Sequence, residues 1–263
     1  MQMLTEAQRQ EWQRDGFFII ERFAPAVTCR AMLDRVVELA RAANGGGLVG
    51  NAYVMPEAKP NPHAVNPEDR VSKVFRLHRD PVFRAFVESD ELLDVVGGIL
   101  GPELDCFLSQ FIFKNPGAMG QPWHQDALYF PFDRSPQIGV WLAVSDATPA
   151  NGCLHVLPGS HNEPVHPHVP DARPQANYGY MEIVDHDLTA AIPVLMQAGD
   201  LLVFHSHLMH RSTDNLSNGI RAAMVYHYAQ AGTRDLSREP AAVNDWMPVR
   251  RLNATEEIRH DRG

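Results

Sequence analysis

Several things are scarce in this sequence of 263 residues. Cysteine occurs three times, at Cys29, Cys106 and Cys153, with no C-x-x-C pair. An odd, widely spaced set argues against a disulfide framework and for a reducing compartment, so a cytoplasmic protein is expected. Positive charge is in deficit: 23 Lys+Arg stand against 32 Asp+Glu, a formal net charge of −9. Nucleic acid and anionic membranes both demand a basic face, so neither is expected as a partner. Long apolar runs are missing as well. Stretches such as Ile192-Pro193-Val194-Leu195-Met196 fall far short of the roughly 20 residues that span a bilayer. The opening Met1-Gln2-Met3-Leu4-Thr5-Glu6 has no basic segment leading into an apolar one, the pattern of a secretory signal. The sequons Asn215-Leu216-Ser217 and Asn253-Ala254-Thr255 are therefore expected to be chance matches. No repeat or low-complexity tract is evident.

What is present suits one domain over residues 1–263, because a 44% hydrophobic content supplies a real core. The first hundred residues read as mostly helical. Thr5 is placed to cap a helix running to about Arg14 and stopped by Asp15-Gly16. Phe17 to Ile20 reads as a strand. Met32, Leu33, Val36, Val37, Leu39 and Ala40 recur at helical spacing within 26–43, which Asn44-Gly45-Gly46-Gly47 ends. Residues 51–70, rich in Pro and Asn, read as a loop. Pro81 to Phe86 and Glu91 to Leu100 read as helices. From 101 to 230 the texture turns to short apolar runs: Phe107 to Phe113, Ile138 to Val144, Cys153 to Leu157, Leu201 to Phe204 and Ala222 to Tyr228. Such runs, broken by Gly, Pro, Asn and Asp, mark a double-sheet β core. A Pro- and His-rich insertion near 163–193 is too long for an ordinary connection and reads as lid-like. Residues 231–263 form a tail.

The strongest chemical signal is Trp123-His124-Gln125-Asp126. In a strand, residues two apart share a face, so His124 and Asp126 can offer an imidazole and a carboxylate to one metal. Two histidines and one carboxylate, with three positions left open, are the ligand set of non-haem iron(II) oxygenases. For the third ligand, strand parity groups His210 with Leu202, Phe204, Leu208 and Ser212, and puts His205 and His207 on the other face. Arg221 lies eleven residues after His210 (221 − 210). A hairpin through Asn215-Leu216-Ser217-Asn218-Gly219 is expected to return it beside the His210 strand. A guanidinium stays charged when buried and matches a carboxylate, so Arg221 points to a dicarboxylate ligand.

This ordered set resembles the phytanoyl-CoA dioxygenase family of iron(II)/2-oxoglutarate oxygenases, from roughly Asp15 to Tyr228. The matching pieces include Val71-Ser72-Lys73, Ser109-Gln110-Phe111-Ile112-Phe113-Lys114, Trp123-His124-Gln125-Asp126 and Gly139-Val140-Trp141-Leu142-Ala143. Others are Asn151-Gly152-Cys153-Leu154, Leu157-Pro158-Gly159-Ser160-His161, Gly199-Asp200, His210-Arg211-Ser212 and Arg221. The similarity leans toward the domain-containing branch rather than the peroxisomal acyl-CoA enzyme. It implies a mainly β fold with packed helices around a double-stranded β-helix, the cupin-like jelly roll. It implies iron on His124, Asp126 and His210. It also implies 2-oxoglutarate held by Arg221 and Ser212, with Lys73, Gln110 and Trp141 lining its site. Gln110 departs from the family, which often has an apolar residue such as Met there.

The same resemblance implies oxidative decarboxylation of 2-oxoglutarate by O2 to succinate and CO2, coupled to hydroxylation of an unactivated C–H bond. Ascorbate is the expected reductant. Halogenating relatives lack the carboxylate that Asp126 supplies, which favours hydroxylation. The expected partner is a small-molecule or lipid-like substrate, and the expected state a monomer or homodimer. Tyr129, Phe130, Phe132, Tyr178, Tyr180, Asn51, Tyr53 and Met55 are candidates for the substrate wall. Asn151-Gly152 and Pro158-Gly159-Ser160 read as turns outside the site. Two rival readings are a cupin-like metal enzyme that does not use 2-oxoglutarate and a non-catalytic metal-binding sensor. The full set of His124, Asp126, His210 and Arg221 argues against both.

Overall fold

The structure is a computed structural model, which describes residues 4–58, 61–174, 178–239 and 245–252. Helix α1 (Glu6–Asp15) starts as the sequence predicts. Thr5 Oγ1 accepts from Gln8 N–H, and Gln8 Oε1 accepts from Thr5 N–H, which satisfies two otherwise unpaired donors. Gly16 ends the helix at φ 81°. Strand β1 (Phe17–Ile20) follows, then α2 (Ala26–Ala42), whose Met32, Val36 and Leu39 are buried. Burying such side chains contributes roughly 1.5–3 kcal/mol each.

The expected loop at 51–70 is in large part strand. Strands β2 (Gly47–Val49), β3 (Ala52–Pro56) and β4 (Val71–Phe75) form a meander, with a 3-10 turn at Pro67–Arg70. The Pro and Asn content that suggested a loop is concentrated after Pro56. It hid a short alternation in which Ala52 and Val54 are buried and Tyr53 is exposed. Helices α3 (Pro81–Val87) and α4 (Asp90–Leu100) fall where expected.

The β region contains β5 (Leu104–Lys114), β6 (Ile138–Ala143), β7 (Leu154–Val156), β8 (Val169–Pro170), β9 (Met181–Glu182) and β10 (Ile192–Val194). It continues through β11 (Leu201–His205), β12 (His210–Ser212), β13 (Arg221–Gln230) and β14 (Met247–Arg250). The large sheet has the order β1-β11-β6-β13-β5-β4-β3-β2, with β14 also paired to β5. A small sheet, β10-β7-β12, faces it. The two make a jelly-roll core without a closed barrel. β14 shows that part of the expected tail pairs with the core; residues 253–263 lie outside the described residues.

Alternation along the long strands separates two environments. Val140, Leu142, Leu201, Val203, Met224, Tyr226 and Phe111 point toward the helices. There Tyr226 donates to the Phe83 carbonyl and Tyr228 to that of Val87. Trp141, Ala143, Leu202, Phe204, Ala223 and Val225 pack instead against Val156 and Val194 of the small sheet. Both faces are covered, so the strands read as continuous apolar runs rather than clean alternation.

Gly139 lies opposite Phe204 in the β6–β11 ladder. A Cβ there would sit 2.1 Å from Phe204 Cζ, so the ring fits only over a glycine. Gly139→Ala is expected to destabilise the fold by about 1–3 kcal/mol, read as a lowered urea midpoint with an unchanged slope. A midpoint equal to wild type would show that the ring has another place to go.

Candidate metal centre and carboxylate pocket

His124 and His210 face each other across an isolated bridge, exchanging both main-chain N–H···O bonds at 3.0 Å. His124 is thus not in a regular strand, as expected from the sequence, and Asp126 opens a 3-10 turn, Asp126–Tyr129. The turn still brings the carboxylate alongside both imidazoles. Asp126 Oδ1 lies 3.4 Å from His124 Nε2 and 3.7 Å from His210 Nε2. The three ligand atoms lie within 4.8 Å of one another, and all three residues are buried.

Each histidine is oriented by a carbonyl two residues earlier. His124 Nδ1 is 2.8 Å from Pro122 O, and His210 Nδ1 is 2.9 Å from Leu208 O. A carbonyl only accepts, so both Nδ1 atoms carry the proton and both Nε2 lone pairs face Asp126. The Gln121 side-chain amide takes the His124 lone pair at 2.9 Å. Burial pushes His210 down to about 4, which keeps it neutral. Burial alone would raise the Asp126 carboxyl. Neighbouring imidazoles, of which His227 donates to it directly, outweigh that and hold the carboxyl well below its usual range. Two imidazoles that turn Nε2 toward one ionised carboxylate are the donor set a divalent metal needs.

His227, not anticipated from the sequence, donates from Nε2 to Asp126 Oδ2 at 2.9 Å. This fixes the carboxylate by one oxygen and leaves Oδ1 for a metal. The signal was present, since His227 is an even number of residues from Arg221 in β13 and shares its face. His205 and His207 lie elsewhere. His205 packs on Trp12, ring centroids 5.6 Å apart, and His207 donates to Glu163 O.

A cavity of about 250 Å3 opens beside the His–Asp–His set. Arg221 and Lys114 are directly opposed in the β13–β5 ladder, both buried. Like charges so placed repel. Burial followed by the Arg221 charge pushes Lys114 well below the usual lysine range. Burial also brings Arg221 down to about 10, still charged at neutral pH. Arg221 Nη2 donates to Gly152 O at 3.1 Å, while its Nε and Nη1 have no partner among the described residues. Unmatched buried donors of this kind are costly and fit an absent anion. Ser212 Oγ accepts from Lys114 Nζ at 2.8 Å and from Gln121 N–H at 3.0 Å. With both lone pairs used, its own proton is left for a further acceptor.

The expected hairpin between His210 and Arg221 does not form. β12 lies in the small sheet and β13 in the large one. Asn215, fully buried, shapes the crossover by donating to the Lys114 and Gly219 carbonyls. Arg221 reaches the cavity from the opposite wall. Gln110, Trp141 and Lys73 line the cavity too. The Arg221 guanidinium lies 5.4 Å from the Trp141 ring centre, and Lys73 Nζ is 5.0 Å from that of Tyr180. Burial lowers Lys73 to about 8. The Asn151-Gly152 turn, read as remote from the site, holds Arg221 through the Gly152 carbonyl. A Cβ at Gly152 would come 2.7 Å from Lys114 Cδ. Lys114 itself was quoted within a motif but given no role, because a strand lysine is ordinarily solvated.

Tyr129, Phe130, Tyr178 and Tyr180 reach the cavity, whereas Phe132, Asn51, Tyr53 and Met55 do not. Phe132 packs with Phe107 and Trp246, and Tyr53 stacks on Phe75 at the surface. Tyr178 hydrogen-bonds to Glu57, a carboxyl raised by its burial. The 163–193 segment therefore contributes cavity wall; its end is strand β10 of the small sheet.

A jelly roll with this donor set beside a buried cation pair is the frame on which iron and 2-oxoglutarate run oxygen chemistry, and the chain is an oxygenase of that class. Residues 12–223 match the family described as phytanoyl-CoA dioxygenase (PhyH), and the chain belongs to it. Phytanoyl-CoA dioxygenase 1 of Oryza sativa subsp. japonica is 28% identical over 250 residues, 85% of this chain and 88% of that protein. Phytanoyl-CoA dioxygenase domain-containing protein 1 of Bos taurus is 28% identical over 299 residues, covering 98% of each. Among solved structures, the non-heme monooxygenase ThoJ is 25% identical, with TM-score 0.69 over 93% of this chain and 84% of that one. The epimerase SnoN, solved with Fe3+, alpha ketoglutarate and nogalamycin RO, is 17% identical and shares the fold, TM-score 0.66 over 95% and 96%.

His227→Leu is expected to weaken Fe(II) binding about 10- to 100-fold, measured by anaerobic titration, because Asp126 Oδ2 loses its buried donor. Wild-type affinity in this variant would show that the carboxylate is held some other way.

Proposed function

We propose that this oxygenase hydroxylates an unactivated C–H bond of a small-molecule or lipid-like substrate, with iron on His124, Asp126 and His210. The observation carrying the 2-oxoglutarate assignment is Arg221, whose Nε and Nη1 lie buried beside Lys114 without partners among the described residues. When bound, iron(II) with 2-oxoglutarate and O2 supplies the oxidation: one oxygen atom enters the substrate C–H and the other enters succinate, with release of CO2.

The chain's own residues bind, orient and exclude water. Arg221, Lys114 and the Ser212 hydroxyl receive the distal carboxylate of 2-oxoglutarate. Trp141 covers the guanidinium, and Lys73 and Gln110 bound the same chamber. Two cations meeting one carboxylate turn a repulsive pair into a bridged one. Phe204, whose ring centre is 5.1 Å from that of His210, adds an apolar surface beside that imidazole. No side chain need act as nucleophile or general acid; the residues supply geometry and a dry site. The cavity is smaller than the roughly 300–1,000 Å3 of ordinary ligand pockets. It has room for 2-oxoglutarate and only the reacting part of a substrate, with Tyr129, Tyr178 and Tyr180 in its wall. Asp126 fills the position that halogenation would leave open, which favours hydroxylation.

Protein supplied with Fe(II), ascorbate and 2-oxoglutarate under air is expected to form succinate slowly without substrate. His210→Ala abolishes this, and Arg221→Ala raises the 2-oxoglutarate requirement by about 100-fold or more. Failure both to form succinate and to bind 2-oxoglutarate anaerobically, read by its charge-transfer absorption on Fe(II), would sink the assignment.

The depressed Lys73 sets a pH dependence. Its cationic form attracts a dianion, and that form is lost as pH rises through about 8. The affinity for 2-oxoglutarate is therefore expected to fall above that pH. In Lys73→Met the step near pH 8 disappears, leaving a uniformly weaker site; an unchanged profile would place Lys73 outside the chamber's electrostatics.

A further inference from the structure

A second cluster of donors lies outside the cavity, where the segment between β7 and β10 leaves and returns to the core. Glu163, His166 and His186 each offer one ligand atom, all within 4.8 Å of one another. Glu163 Oε2 is 2.8 Å from His166 Nε2 and 2.9 Å from His186 Nε2. The imidazole rings are 5.0 Å apart and nearly perpendicular, at 85°. None of the three lines the cavity.

The surroundings hold these side chains in a ligating arrangement. His186 Nδ1 is 3.0 Å from the Asp187 carbonyl, which only accepts. Nδ1 therefore carries the proton, and in the neutral ring the Nε2 lone pair faces Glu163. That is the tautomer, with its outer hydrogen bond, that binds a metal through Nε2. Without a cation, a second proton is needed on Nε2 to meet the carboxylate, and the bond to Glu163 accordingly raises His186 above its usual range. A divalent ion replaces that proton. The Glu163 main chain is fixed by its N–H to Ser160 O and by His207 Nδ1 on its carbonyl. His166 N–H donates to Gln125 Oε1 at 2.8 Å. The side chains are 17–39% exposed, open enough for an ion to enter and keep a water.

We propose that Glu163, His166 and His186 form a second divalent-metal site, of the zinc type, distinct from the iron centre. Two imidazoles, one carboxylate and a water complete a tetrahedral shell. Glu163 and His186 are 23 residues apart, so the ion staples the base of the loop that carries Tyr178 and Tyr180 to the cavity. Gln125 extends the tie. It lies between His124 and Asp126 and bonds His166 N–H, the Pro164 carbonyl and the His207 carbonyl. Zinc thereby steadies the loop bearing the iron ligands without touching iron.

The test is Zn(II) calorimetry with Co(II) visible absorption as a second readout. The full chain is used, both wild type and with Asp126→Ala and His210→Ala combined to remove the first donor set. Wild type is expected to take two equivalents and the double variant one, with Co(II) bands of a low-coordinate site. Adding Glu163→Gln or His186→Ala to the double variant weakens the remaining site by about 100-fold or more. Glu163→Gln alone brings wild type to one equivalent, which avoids dependence on the double variant's folding. A single equivalent in wild type, or a second one indifferent to Glu163 and His186, overturns the proposal.

Discussion

Arg221 and Lys114 stand opposite each other on adjacent strands, both out of water. Holding both in register out of water is a standing electrostatic cost, one that drives Lys114 well below the usual lysine range, and much of the surrounding architecture can be understood as making that cost bearable. Ser212, Thr213 and Gly152 turn oxygen atoms toward the pair. Trp141 lays its ring against the guanidinium. The charge that remains uncompensated faces the cavity, where a dicarboxylate would complete it.

The strand faces explain how such a corner can exist. On β13, Ala222, Met224, Tyr226 and Tyr228 anchor the sheet to the helices, while Arg221, Ala223, Val225 and His227 face the interior of the jelly roll. The apolar anchor absorbs the unfavourable electrostatics of its polar counterpart. Meanwhile β12 brings His210 from the small sheet. His210 and Ser212 thus enter the cavity from the small sheet, and Arg221 and Lys114 from the large one.

Much of this was legible from residue order. Thr5 and Gly16 mark the ends of α1, and the helical spacing of Met32, Val36 and Leu39 marks α2. The donor set His124, Asp126 and His210 was read from residue types, parity and the spacing to Arg221, although the hairpin behind that spacing does not form and His124 and Asp126 meet through a bridge and a turn rather than along a strand. The crossover between β12 and β13 was not legible. Asn215-Leu216-Ser217-Asn218-Gly219 has the composition of a hairpin turn, and only the tertiary bonds of Asn215 to Lys114 reveal a change of sheet. β3 was masked by adjacent prolines. Lys114 and His227 were overlooked because an isolated lysine or histidine in a strand carries no local mark of burial; their significance comes from partners over ninety residues away in sequence.

The cavity wall has a division of labour. Arg221, Lys114, Ser212 and Trp141 come from the two core sheets, while Tyr178 and Tyr180 come from the long segment between β7 and β10. Substitutions at Tyr178 and Tyr180 leave the ladders of the two core sheets untouched, since surface connections tolerate change that sheets do not. The shape of the cavity can therefore be altered through one surface connection without rebuilding the strands that carry Arg221 and Lys114.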